Sequence, residues 1–197
     1  MLKKIGACFL LVIMVSDVMA QKFQGGIVSG LSTSQVSGDL LSGFNKIGLI
    51  AGGYIKLELQ QKNYLQFEII YCEKGSSNPD LDNNIAEISL SYIDIPLSIN
   101  IEQKNNISIQ LGVFPSVLIT SKMNDFYGNI SIDPKFNKYD FSIFAGVNYK
   151  LTSKIILNTK ISNSIIAIRP HISNVTQGIN KGQYNTMLSF SIYYQIS

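Results

Sequence analysis

The chain has no tryptophan, one histidine, two cysteines and five prolines, and only 15% of its 197 residues are charged. Each shortage excludes something. Low charge beside 46% hydrophobic residues is the reverse of a disordered composition. With 16 Lys+Arg against 13 Asp+Glu the net charge is only +3, without the clustered basic excess of a nucleic-acid binder. A single histidine with no cysteine or second histidine near it makes a poor metal site. No apolar run reaches the roughly 20 residues that a membrane-crossing helix needs. That excludes a helical membrane protein and leaves a membrane barrel open, because strands cross in about 9–11 residues.

What is present begins with a targeting pattern. Lys3 and Lys4 precede the apolar run Phe9 to Val15, and Val18-Met19-Ala20 supplies a small residue at a cut site. This is the order of a secretory signal peptide. Residues 1–20 are therefore expected to be the signal and 21–197 the mature domain. Cys8 leaves with the signal, so Cys72 stands alone and has no disulfide partner in the chain; it reads as a small, half-buried strand residue. The mature charge is nearly balanced, with 14 basic residues (16 less Lys3 and Lys4) and 12 acidic (13 less Asp17).

The rest of the chain alternates with period two. Ile47, Leu49, Ala51, Gly53, Ile55 and Leu57 share one face, opposed by Lys46, Gly48, Ile50, Gly52, Tyr54, Lys56 and Glu58. Leu65, Phe67, Ile69 and Tyr71 oppose Gln66, Glu68, Ile70, Cys72 and Lys74. Ile93 to Ile101, Phe141 to Tyr149 and Leu188 to Ile196 repeat the pattern. Side chains that alternate between faces mark β-strands with one apolar face. Eight such segments are expected, at about 23–34, 45–59, 64–75, 87–101, 106–120, 139–151, 154–168 and 183–196. Tight polar turns at 60–63, 102–105 and 152–153 alternate with longer loops rich in Asn, Ser, Asp and Gly. Short turns on one side and long loops on the other are the build of outer-membrane barrels.

The polar faces separate a membrane barrel from a soluble lipid-binding one. They hold Gly, Ser, Asn and Gln with few charges, where a soluble surface is denser in charge. Gly48, Gly52, Gly112 and Gly146 fall on that face, as a narrow interior requires. Tyr64, Tyr139, Tyr149 and Tyr184 fall near strand ends, where interfacial aromatic girdles sit. The expected fold is all-β, an eight-stranded antiparallel up-and-down transmembrane β-barrel. Ile50, Tyr54, Phe114, Phe144 and Tyr193 on the inward face supply bulk, and eight strands enclose only enough room for side chains. The barrel is expected not to conduct solutes.

Several stretches resemble one family. Gly43 to Ala51, Leu65-Gln66-Phe67-Glu68-Ile69-Ile70-Tyr71 with Lys74-Gly75-Ser76, and Tyr92-Ile93-Asp94-Ile95-Pro96-Leu97 are similar to the PorT-like outer-membrane β-barrel proteins of Bacteroidetes. Gly112-Val113-Phe114-Pro115 and Asp140-Phe141 with Gly146 fit that family's later strands. The resemblance covers almost all of the mature chain and implies an integral outer-membrane barrel. The namesake is linked to protein secretion through the type IX system, while most relatives have no assigned role.

Chemistry is sparse. A hydrolase built on His171 with Ser173 and Asp125 or Asp133 needs a geometry that the sequence does not supply. Asp80-Leu81-Asp82 lacks the Gly and distal Glu of a calcium loop. The chain is therefore read as non-enzymatic, without metal or cofactor, acting through its outer loops in a structural or interaction role. Its expected partners are outer-membrane lipids and an envelope protein, with no nucleic acid. A secretion accessory, a soluble lipid-binding barrel and a lipid-acting enzyme around His171 are the alternatives.

One interior cluster is expected. The turn at 60–63 sets Lys56 opposite Gln66 or Glu68, and the loop centred near residue 81 sets Glu68 beside Asp94. Adjacent carboxylates in a low-dielectric lumen repel unless a cation neutralises them, and Lys56 is the nearest candidate. Lys56, Glu68 and Asp94 are therefore expected to form a charge network that plugs the lumen, and Lys56→Met to lower the melting temperature.

Overall fold

A computed structural model describes residues 23–38, 41, 43–59, 63–78, 87–125, 127–131, 134–170 and 182–196. The expected signal peptide and the loop residues Asp80, Asp82, Asp133, His171 and Ser173 lie outside the described residues.

Period-two alternation gives the elements β1 (Phe23–Ser37), β2 (Lys46–Glu58), β3 (Tyr64–Ser77), β4 (Glu87–Asp94) and β5 (Leu97–Glu102). They are followed by β6 (Ile107–Asp125), β7 (Gly128–Asn129), β8 (Tyr139–Lys150), β9 (Ile155–Ser164) and β10 (Tyr184–Gln195). β4 and β5 are two parts of one stave, and β7 is a two-residue strand folded back antiparallel on the end of β6. Among the described residues that leaves eight staves. Every neighbour is antiparallel, and β1 pairs with both β2 and β10. The sheet therefore closes on itself, and no strand edge is left to satisfy in lipid.

Closure relies on glycines where neighbouring strands and side chains approach closely. A Cβ on Gly112 would meet the Leu97 carbonyl oxygen and lie 2.7 Å from the Phe144 ring. At Gly75 the backbone has a φ of +151° and a Cβ would collide with the Ile88 carbonyl oxygen. Both positions need glycine for close approach.

The expected strand at 87–101 is interrupted at Pro96. Proline has no N–H to give the ladder. Around it the Ile95 N–H donates to the Pro115 carbonyl at 3.0 Å, and the Glu68 N–H donates to the Pro96 carbonyl at 2.9 Å. The register survives, since Asp94 faces Ser116 and Leu97 faces Val113. β1 runs further than expected, to Ser37, and β6 to Asp125. A shift between Ser91 and Tyr92 leaves Ile119 as the extra residue of a bulge in β6. β9 stops at Ser164 rather than 168.

The short turns match the expectation. The Leu59 N–H donates to the Asn63 carbonyl at 2.7 Å and the Leu151 N–H to the Ile155 carbonyl at 3.0 Å. Asn105 and Asn106 take φ of 62° and 63°, left-handed values that asparagine tolerates well. One end of the barrel is thus tightly stitched, and the other carries the long connections.

Candidate functional site

The two faces of the wall are sorted by polarity. Ile27, Leu31, Leu49, Ile55, Ile69, Leu111, Ile143, Ile161 and Ile192 point outward and are exposed. Ser32, Gln66, Glu68, Asp94, Asn100, Gln110, Asn148, Asn158 and Lys160 point inward and are buried. A soluble ligand-carrying barrel has the opposite arrangement. The wall is built for lipid outside and polar packing inside.

Two buried ion pairs fill the middle of the lumen, one between the neighbouring strands β3 and β4 and one across the barrel from β9 to β3. Lys74 on β3 places its Nζ 3.0 Å from Oδ1 and 2.9 Å from Oδ2 of Asp94 on β4. Lys160 on β9 donates to Glu68 Oε1 on β3 at 2.9 Å. Glu68 also accepts from Gln66 Nε2 at 2.9 Å and from the Tyr193 hydroxyl at 2.8 Å. The ammonium of Lys74 lies 4.8 Å from the centroids of Tyr92 and Phe114. That of Lys160 lies 5.1 Å from Phe144 and 5.5 Å from Tyr193. A carboxylate and aromatic faces around each cation offset its desolvation. Asp140, also buried, accepts from Ser164 at 2.7 Å and Asn185 at 3.1 Å.

The three residues expected to form one network are all inside, but they are not brought together. Lys56 does lie opposite Gln66. Asp94, however, faces Ile70 rather than Glu68, so the β3–β4 pairing is displaced by two residues from the expected register. Each acid has its own cation, Lys160 for Glu68 and Lys74 for Asp94. Among the described residues Lys56 forms no ion pair. The partner of Glu68 was hidden because hairpin arithmetic relates only neighbouring strands, and Lys160 reaches Glu68 across the lumen. Its signal in the sequence is a lone lysine on the polar side of β9, between Asn158 and Ser162. Cys72 is buried rather than half-buried, with its sulfur 3.5 Å from the Met187 sulfur. Tyr64 is no girdle residue: its hydroxyl turns inward, 3.3 Å from the Ser108 hydroxyl.

Above and below the ion pairs the filling changes character. On the loop side Val36, Leu41, Ile88, Leu90, Tyr92, Met123, Phe136 and Ile168 form an apolar cluster. Arg169 is buried within that end, donating to Gln183 Oε1 at 2.9 Å and stacked 4.4 Å over Phe136. On the turn side an amide network links four strands. Asn158 donates to Asn148 at 2.6 Å and Gln110 at 3.0 Å, Asn148 to Asn100 at 2.8 Å, and Gln110 to Ser98 at 2.9 Å. Below it a cavity of about 440 Å³ opens at the end of the short turns, with Lys56, Tyr64, Ser108 and Asn148 among its lining residues and Glu58, Glu102 and Lys150 charged.

Outside, the wall turns polar at the loop end. Glu73, Glu87, Ser89, Ser91, Thr120 and Lys122 face outward there, which places this stretch above the apolar belt. Lys46 and Glu87 form an ion pair. The bond from Lys46 holds the Glu87 carboxyl below its usual range, Ser89 and Asn124 add to this, and partial burial opposes it.

Comparison with known proteins agrees with this build. The family described as outer membrane protein beta-barrel domain matches residues 19–168. The neisserial surface protein A structure is 14% identical with a TM-score of 0.58, covering 88% of this chain and 97% of that one. Ail, the attachment invasion locus protein of Yersinia pestis, is 13% identical with a TM-score of 0.55, covering 89% and 99%. At such identities the likeness is one of fold. Curated proteins give no match.

Proposed function

The chain belongs to the outer membrane protein beta-barrel domain family, and from that premise we propose that it is a non-catalytic barrel with a structural or interaction role played by its outer loops. It is a small outer-membrane β-barrel protein. The observation that carries the proposal is the filling of the lumen by the Lys74–Asp94 and Lys160–Glu68 pairs beneath the apolar cluster. A lumen spent on packing leaves the outer surface for contacts. The interior acids also support the non-catalytic reading. Glu68, Asp94 and Asp140 are each held by partners within the wall, and a general acid or base needs access to a substrate.

The finer reading is a PorT-like member, exported by a signal peptide cut after Ala20, with outer-membrane lipids and an envelope protein as partners. The motif around Tyr92 to Leu97 supports that branch. Membrane fractionation tests the proposal. Carbonate-washed outer membranes are expected to retain a chain that starts at Gln21. Cross-linked envelope partners are expected to disappear when residues 171–181 are replaced by a short Gly-Ser turn. Release by carbonate, or partners indifferent to that replacement, contradicts it.

A further inference from the structure

Lys56 is the anomaly of the interior. The residue is 5% exposed, and its Nζ lies between the rings of Tyr54 (5.4 Å) and Tyr64 (5.0 Å). Lys74 and Lys160 each have a carboxylate, whereas Lys56 forms no ion pair among the described residues. A desolvated cation without an anion is expensive. Such a cost at a buried position is the mark of a residue kept for function.

The surroundings indicate what the missing anion belongs to. Lys56 lines the cavity of about 440 Å³ at the short-turn end, a size suited to a small ligand. The Tyr64 and Ser108 hydroxyls stand beside it, 3.3 Å apart. Nearer the opening the charged lining residues are Glu58, Glu102 and Lys150, all exposed, with Glu58 held by the Gln24 amide at 2.8 Å. The deep wall thus carries one positive charge and the rim a net single negative one. A polyanion is repelled at such a rim and a cation at its depth. A molecule with a carboxylate at one end and an ammonium at the other matches both.

We propose that this cavity binds a small zwitterion, an α-amino acid or short peptide, from the short-turn end, which in outer-membrane barrels faces the periplasm. Its carboxylate lies on Lys56 with the Tyr64 and Ser108 hydroxyls, and its ammonium faces Glu58 and Glu102. The site is independent of the outer loops and of any role they play.

Amide NMR of the full chain in detergent micelles tests it, with glycylglycine, acetate and inorganic phosphate as probes. Glycylglycine is expected to give saturable shifts at Tyr64, Ser108 and Asn148, and to bind more tightly than acetate or phosphate. Lys56→Gln removes a charge-assisted contact and is expected to weaken glycylglycine about tenfold or more, while Lys56→Arg retains most of the binding. Should Lys56→Gln fail to fold, Glu58→Gln with Glu102→Gln at the exposed rim decides, and is expected to abolish the preference for glycylglycine over acetate. The proposal is overturned by shifts that do not saturate or lie elsewhere, by acetate or phosphate binding as tightly, or by either variant behaving like wild type.

Discussion

At the scale of residues, stability is concentrated in two lysines. Removing one member of a buried pair strands the other charge, at a cost of about 3–5 kcal/mol. Lys74→Met and Lys160→Met are each expected to lower the melting temperature in detergent markedly, by stranding Asp94 and Glu68. Lys56→Met strands no acid and removes an unpaired buried cation, so its melting temperature is expected to stay unchanged or rise. A large fall for Lys56→Met with little effect at Lys74 and Lys160 contradicts this assignment. The inward placement of Glu68, Asp94 and Lys56 was legible because alternation fixes the face of every strand residue. The choice of cation was not, since Lys160 is 92 positions from Glu68 and meets it only when the sheet closes.

Glu87 gives the pH-dependent counterpart at the loop end. Its folded pKa lies below the ordinary one because Lys46 bonds to the charged form. Such a group adds stability above the unfolded pKa and loses it as pH falls through the folded one, here below about pH 4. An NMR titration is expected to place Glu87 below the ordinary glutamate range, and Lys46→Met to return it upward. A Glu87 that titrates identically in both chains contradicts the contact.

At the scale of elements, the tight turns were legible and the long connections were not. The few polar residues between β2 and β3 leave little freedom, and Lys56 meets Gln66 as the turn dictates. Between β3 and β4 the connection is long, and nothing in its composition marks the centre. The pairing therefore falls two residues from the expected one, with Asp94 against Ile70. A two-residue slip preserves every face, so alternation still sorts the β3 and β4 residues into inside and outside while it does not fix which of them are neighbours. Pro96 was visible in the sequence, but the way Pro115 and Glu68 bridge its gap depends on pairing to both sides. The inward glycines are the firmest legible detail. Gly112→Val is expected to push on the Leu97 backbone and the Phe144 ring together, lowering the yield of heat-resistant folded barrel. Unimpaired folding of that variant contradicts the close packing between β5, β6 and β8.

At the scale of the whole molecule, a belt of exposed isoleucine and leucine surrounds a lumen filled in layers. An apolar cluster lies beneath the loops, two ion pairs fill the middle, and an amide network lies above the open cavity on the turn side. That cavity of about 440 Å³ ends on the packed layers. Planar-bilayer recording tests this most directly. The purified barrel is expected to insert without stable current steps at any applied voltage. Reproducible large single-channel steps would contradict a sealed lumen.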